Sequence, residues 1–425
     1  MKGQTENSSS SSKPGKFKWL GRLIKLIFKT IGAVAALIVL LVAGFLLFLW
    51  LEHNTSVTLP DPTGPFQVGR ATYHWVDTTR SDSLAPVSNQ KRELMVWIWY
   101  PAVSGQVSKT SEYLPASWQV ALENSSGVFM SKFFTRDLSK VHTHSTNNTP
   151  ISSKEQQFPV IIMRSGIGAL ATDYTTLATD LASHGYIVVG ADAPYSTNVV
   201  VFPDGRVAAR TLAGNPGDDE GLSFDQKNRI LNKLIGIWTA DTRFILDKLN
   251  ELNTLERMGK FTNRLNMNAV GIFGHSFGGA TAAQFCHDDN RCKAGIDIDG
   301  QPFGSVIKEG LHQPFMFILS DHSGEPGTND ILSKLKSVYD HLPVNDRLWV
   351  SITGTRHFNF SDQALLKDSH LAKLAHGLGP IDERQGLAIT TKCVQSFFDV
   401  YLRNAPKQLL KKRLLLHPEV QLAMQ

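Results

Sequence analysis

The stretch that decides the fold is Gly271–Phe285, "GIFGHSFGGATAAQF". It holds a Gly-x-Ser-x-Gly pattern, Gly274-His275-Ser276-Phe277-Gly278. The pentapeptide alone is weak evidence, because glycine and serine are common. Its surroundings strengthen it. The apolar run "NAVGIF" before it reads as a buried strand, and "ATAAQF" after it reads as a helix. A serine on a tight strand-to-helix turn exposes its Oγ and aims the following N–H at a developing oxyanion. The turn needs glycines where side chains would collide with neighbouring backbone. Ser276 is therefore expected to be a nucleophile.

A serine hydroxyl needs a base to take its proton. The candidate is His357 in "LWVSITGTRHFNFSD", the first histidine after a late strand. His322 is the next rival. His341, His370 and His376 fall in polar, helix-like segments and read as solvent-facing. The acid has two candidates. Asp299 ends the strand in "AGIDIDG", and Asp321 ends the next strand in "FMFILSDHSGE". The order Ser, Asp, His holds for both. The commoner arrangement puts the acid after the later strand and favours Asp321. Asp297 is a third carboxylate, inside its strand.

Further apolar runs extend the pattern: 94–100, 159–163, 186–191, 269–273, 294–298, 315–319 and 348–352. Helical patterns cover 173–184, 225–252, 278–286 and 390–402. Strands alternating with helices predict a mostly parallel central sheet with helices on both faces, and with the Gly-x-Ser-x-Gly turn at Ser276 the expected class is an α/β-hydrolase fold. Segments 104–157 and 197–226 read as polar surface insertions. No internal repeat is found.

The net charge is +5. Seven basic residues against Glu6 alone give the first thirty positions +6, which leaves −1 for the rest. Nothing there suggests a nucleic-acid partner. Ile31–Leu51, "IGAVAALIVLLVAGFLLFLWL", carries no charge, and as a helix it reaches roughly 30 Å, enough to cross a bilayer. It lacks the small-residue site that follows a cleaved signal peptide. The expected layout is a basic tail over 1–30, an anchor over 31–51, a linker over 52–64, a catalytic domain over 65–404 and a basic amphipathic segment over 405–425. Basic residues before the span keep the N-terminus cytoplasmic and put the large part on the periplasmic, lumenal or extracellular side.

At these residues the sequence resembles the platelet-activating factor acetylhydrolase family, serine esterases that include lipoprotein-associated phospholipase. The likeness rests on "RELMVWIWYPA" (92–102), "MRSGIGALATDYTTLATDLASHGYIVVGAD" (163–192), "GHSFGGATAAQFCHDDNRCKAGIDIDGQPFG" (274–304) and "GTRHFNFSD" (354–362). The resemblance implies Asp299 as the acid, with Asp321 as the alternative. It implies that the backbone N–H groups of Ile167 and Phe277 form the oxyanion hole. It implies short-acyl or oxidised phospholipids as substrates, no cofactor and no metal. Ser165 and Asp297 depart from the family pattern. The competing readings are a general carboxylesterase or cutinase-like polyester hydrolase, which would use Asp321, and a non-catalytic scaffold.

Smaller features have plainer readings. His142 and His144 read as a solvated loop, and "HDDN" (287–290) as a helix end. "GVFMSKFF" (127–134) reads as a packed helix face, with a lipid-touching face as the sharper alternative. Cys286 and Cys292 are close enough to bridge a short loop, or are two buried thiols. Asn54, Asn124, Asn147 and Asn359 head glycosylation sequons.

Overall fold

The computed structural model describes residues 15–105, 109–127, 134–218, 221–255, 259–321, 328–367 and 369–422. The apolar runs form the centre of one twelve-stranded sheet. Six strands are mutually parallel: β7 (Ile187–Asp192), β6 (Phe158–Arg164), β10 (Leu265–His275), β11 (Cys292–Ile298), β12 (Phe315–Leu319) and β13 (Arg347–Ile352), in that spatial order. Strand numbers follow chain order. Near-continuous Val, Ile and Phe suit strands covered on both faces.

Antiparallel strands flank this parallel centre. β3 (Lys91–Ala102) pairs with β7, and β2 (Gln67–Ser81) pairs with β3. β14 (Val420–Leu422) closes the other edge on β13. β1 (Val57–Thr58), β4 (Thr110–Glu112) and β5 (Val141–Asn147) extend the sheet beyond β2. A separate hairpin joins β8 (Val199–Val201) to β9 (Val207–Ala209).

Alternate strand residues face opposite sides. Met163, Val188, Phe273 and Ile296 pack with Leu177, Leu181, Val394 and Phe397 on one side. Ile162, Val189, Ile272 and Phe317 pack with Ile245, Leu246, Ala283 and Leu335 on the other. The helices that supply these partners are α3 (Thr175–Ser183), α4 (Phe224–Leu255), α5 (Phe277–Asp288), α6 (Thr328–His341) and α7 (Glu383–Arg403), following α1 (Gly15–Asn54) and α2 (Ala116–Ser126).

The buried guanidinium of Arg92 locks the β3 end of this framework. It bonds Asp241 Oδ2 at 2.7 Å and Asp82 Oδ2 at 2.9 Å. That joins β3 to α4 and to the β2–β3 turn.

Several expectations need correction. The insertion 104–157 is not merely surface loop, because it holds α2 and strands β4 and β5. His142 and His144 lie on β5, two residues apart on one face, and His144 Nε2 is 2.8 Å from the Leu59 carbonyl. Their polar sequence hid a strand whose Val141, Thr143 and Ser145 face inward. Asn359 is fully buried and its Oδ1 accepts from the Arg356 and Gly379 amides, so it is no surface sequon. Cys286 and Cys292 are joined by a disulfide, and Cys393 is a buried free thiol. The C-terminal helix α8 (Lys407–Leu414) packs on the body through Leu410 and Leu414. Of "GVFMSKFF", positions 128–133 lie outside the described residues, as does His322.

Within Lys18–Asn54, helix α1 carries an 18-residue apolar window of mean hydropathy 3.0, of which 6% is buried, so by length and composition it is a candidate membrane span. Its last turn docks on the body. Arg136 Nη1 donates to the Glu52 carbonyl at 2.7 Å, and His53 Nδ1 lies 2.7 Å from the Thr135 carbonyl.

Candidate active site

The site residues converge on the carboxyl ends of the parallel strands, where the chain order reverses direction between β6 and β10. Open α/β sheets bind ligands at such a switch point. β10 ends at His275, and Ser276 follows with φ +57° and ψ −125°. A non-glycine residue at positive φ stores strain that the surroundings must hold. Here the Ser276 amide donates to the Ile298 carbonyl at 2.8 Å, and the Gly279 amide donates to the Ser276 carbonyl at 2.9 Å. The motif's glycines answer to close approach. A Cβ on Gly274 would overlap the Gly278 backbone, and one on Gly278 would overlap the Arg164 carbonyl.

The segment after β6 runs past the serine. A Cβ on Gly166 would stand 3.2 Å from Ser276 Cβ. Ile167 follows, half-buried. Phe277 opens α5, so its amide has no acceptor within the helix. Two carboxylates hold the far end of the segment. Asp173 Oδ2 accepts from the Leu170 amide at 3.0 Å, and Asp192 Oδ1 from the Ala171 amide at 2.7 Å.

Asp299 stands just past β11 with φ +54°. Its side chain is fully buried, and Oδ2 lies 2.7 Å from His357 Nδ1. Oδ1 accepts from the Ser320 amide at 2.8 Å. The His357 side chain is 40% exposed, at the start of a short turn of helix (His357–Phe360). Asp321, one strand on, donates its amide to the Thr355 carbonyl at 3.1 Å. The residue brought onto the imidazole is Asp299.

Asp297 faces elsewhere. It is buried, its Oδ1 accepts from the Gly300 amide at 2.9 Å, and a Cβ on Gly279 or Gly300 would overlap it. Burial, and then the nearby Asp299 charge, push its carboxyl well above the usual range.

A second imidazole belongs to this group and sequence reasoning missed it. His275 is buried with its ring centroid 4.5 Å from that of His357. Its Nδ1 is 2.8 Å from Tyr174 Oη, and that hydroxyl accepts from the Gly166 amide at 3.2 Å. Burial, reinforced by His357, lowers its pKa to about 3, so it stays uncharged. The pairing of residues 101 positions apart leaves no trace in local pattern. The one available signal was its place beside Ser276. His275, Asp299 and His357 offer metal-ligand atoms within 4.8 Å of one another, and Asp299 and His357 are also hydrogen-bonded to each other.

The platelet-activating factor acetylhydrolase, isoform II, family matches residues 51–194 and 231–408, spans that hold the site segments around Gly166, Ser276, Asp299 and His357. The chain belongs to the platelet-activating factor acetylhydrolase family. The gap at 195–230 contains the β8–β9 hairpin and the start of α4. Among relatives, a dog platelet-activating factor acetylhydrolase is 27% identical over 311 residues, covering 69% of this chain and 65% of its own. The chain thus spans just under two thirds of that protein. A probable 1-alkyl-2-acetylglycerophosphocholine esterase of Arthroderma benhamiae is 23% identical over 392 residues, 86% of this chain and 94% of its own. In three dimensions the chain is similar to a ferulic acid esterase from Streptomyces cinnamoneus. The TM-score is 0.69 at 26% identity, covering 87% of this chain and all of that one.

Proposed function

We propose that the protein is a serine esterase that hydrolyses short-acyl or oxidised phospholipids through an acyl-enzyme. The observation that carries this reading is the 2.7 Å Asp299–His357 contact, beside the strained turn that presents Ser276. Ser276 Oγ attacks the ester carbonyl while His357 Nε2 takes its proton. Asp299 holds the imidazole tautomer and stabilises the imidazolium. The Ile167 and Phe277 amides donate to the tetrahedral oxyanion. His357 then protonates the leaving alcohol, and the ester carbonyl re-forms on Ser276. Water, deprotonated by His357, releases the acid. No metal or cofactor enters the scheme.

Family membership and the names of the relatives support the phospholipid substrate. A second reading, a general carboxylesterase, draws on the likeness to the ferulic acid esterase. We place the catalytic domain at 65–404, and α1 as an uncleaved anchor with its basic end cytoplasmic and the body on the opposite side.

The test is hydrolysis by the full-length protein of phosphocholine esters of graded acyl length, beside simple butyrates and a feruloyl ester. The phospholipase reading predicts preference for short acyl groups on phosphocholine. Preference for butyrates or feruloyl esters selects the carboxylesterase, and no hydrolysis of any ester refutes both.

A further inference from the structure

Tyr174 and His275 have no part in the chemistry assigned above, yet they stand between its two halves. Tyr174 ends the short turn of helix Ala171–Tyr174, on the segment that carries Ile167. His275 is the last residue of β10, one before Ser276. Both side chains are buried. A Cβ on Gly166 would stand 3.6 Å from Tyr174 Oη and 3.2 Å from Ser276 Cβ, so the phenol hydroxyl reaches the segment beside the serine.

A phenol has one hydrogen to give. The Gly166 amide donates to Tyr174 Oη at 3.2 Å, and the other polar partner of that oxygen among the described residues is His275 Nδ1 at 2.8 Å. A buried hydroxyl hydrogen left unpaired is costly, so the phenol donates to Nδ1. His275 is thereby the tautomer with its own hydrogen on Nε2. A proton arriving at Nδ1 would have to displace the phenol hydrogen. Burial works in the same direction and lowers the His275 pKa to about 3.

His275 also backs the candidate base. Its ring centroid lies 4.5 Å from that of His357, at an interplanar angle of 37°. It lies 6.0 Å from the ring of Phe360, at the other end of the same short turn. Asp299 fixes one edge of the His357 imidazole, and His275 packs against the ring from another side. An imidazolium forming on His357 meets an uncharged ring there, where a second positive charge would oppose it.

We propose that Tyr174 and His275 are a positioning pair: the Tyr174 hydroxyl holds the Gly166 amide, next to Ile167, and the same hydroxyl keeps His275 as the uncharged ring on which His357 is seated. One hydroxyl thus couples the oxyanion segment to the histidine turn. Each residue acts through its neighbour and not on the ester. The assignment rests on the ester-hydrolase reading above.

The test is steady-state hydrolysis of a short-acyl phosphocholine ester by the full-length protein. Active sites are counted by fluorophosphonate titration, so misfolded protein does not enter kcat. The variants are Tyr174→Phe, His275→Leu, the two combined, and His275→Asn, whose amide oxygen can accept from the phenol and which takes no charge. Tyr174→Phe is expected to lower kcat about 10- to 100-fold, the scale of a small misplacement of reacting groups, with KM within about twofold. His275→Leu is expected to lose a similar factor and the double variant no more, because residues that act as a unit are not additive. His275→Asn is expected to keep most of the wild-type kcat.

A Tyr174→Phe kcat within about twofold of wild type overturns the assignment. Losses that multiply in the double variant overturn it too, since the residues then act independently. A raised KM at unchanged kcat makes them substrate contacts and also overturns it. Should Tyr174→Phe fail to fold, equal losses in His275→Asn and His275→Leu overturn it without that variant. Each of these results leaves the esterase reading intact. If the wild type hydrolyses no ester, the esterase reading falls and takes this one with it.

Discussion

The Asp299 carboxylate touches His357 Nδ1 at 2.7 Å with one oxygen and the Ser320 amide at 2.8 Å with the other. Both oxygens are thus oriented, and the carboxylate that meets the imidazole is fully buried. Asp299→Asn is expected to lower kcat by about 10³–10⁴, the scale seen when a triad acid loses its charge but keeps its shape. Asp321→Asn is expected to cost far less. Steady-state kinetics on one ester compares them, and the reverse ranking would reassign the acid.

Gly166 and Gly278 should fail differently when changed to alanine. A methyl on Gly278 overlaps the Arg164 carbonyl, so Gly278→Ala is expected to destabilise the fold by about 1–3 kcal/mol or more. A methyl on Gly166 meets Ser276 Cβ at 3.2 Å. Gly166→Ala is expected to cut kcat with a smaller shift in denaturation midpoint. Urea unfolding and kinetics on the same samples separate the two. Equal stability losses would show that the crowding at Gly166 is not confined to the serine.

Arg92 is the buried cation of a network in which Asp241 and Asp82 are also buried. Removing the cation takes from the buried Asp82 its Arg92 ion pair and leaves the buried Asp241 with Arg80 as its remaining cationic contact among the described residues. Arg92→Met is expected to cost about 3–5 kcal/mol, read by chemical denaturation. A loss under about 1 kcal/mol, the scale of a surface pair, would contradict a buried network.

Two buried carboxyls set a pH dependence. Burial raises Asp362 to about 8 and Asp192 to about 7. Each binds its proton more tightly folded than unfolded, where the value is about 3.9. Unfolding therefore releases protons between those limits, and this contribution to stability is complete at low pH and lost as pH rises through the folded values. Tm should carry a falling component from about pH 5 to pH 8.5 that is smaller in Asp362→Asn. An identical slope in the variant would mean that Asp362 does not titrate there.

The parallel centre was legible because its strands are covered on both faces. "PVIIM" and "YIVVGA" admit few other readings in a chain with alternating helices. The antiparallel half was harder. β2 includes "TYHWVDTTR", whose exposed and buried positions mix, and β5 is "VHTHSTN", whose inward residues are partly hydroxyls. Polar strands at a sheet's end look like loops.

The tight turn at Ser276 was readable because sterics demand its glycines. Which carboxylate meets His357 was not readable from local pattern, since Asp299 and Asp321 both end neighbouring strands. Only the turn at Asp299, at φ +54°, carries that side chain under His357, and a family resemblance was needed to anticipate it. The Tyr174–His275 pair and the Asp192 anchor depend on contacts between distant segments, which local sequence does not reveal.

The most direct measurement is covalent labelling of the full-length protein with a fluorophosphonate, followed by peptide mapping. The account predicts one label on Ser276 in the wild type, none in Ser276→Ala, and loss of ester hydrolysis in that variant. Labelling at another residue, or an Ser276→Ala protein that still turns over esters at the wild-type rate, would contradict it.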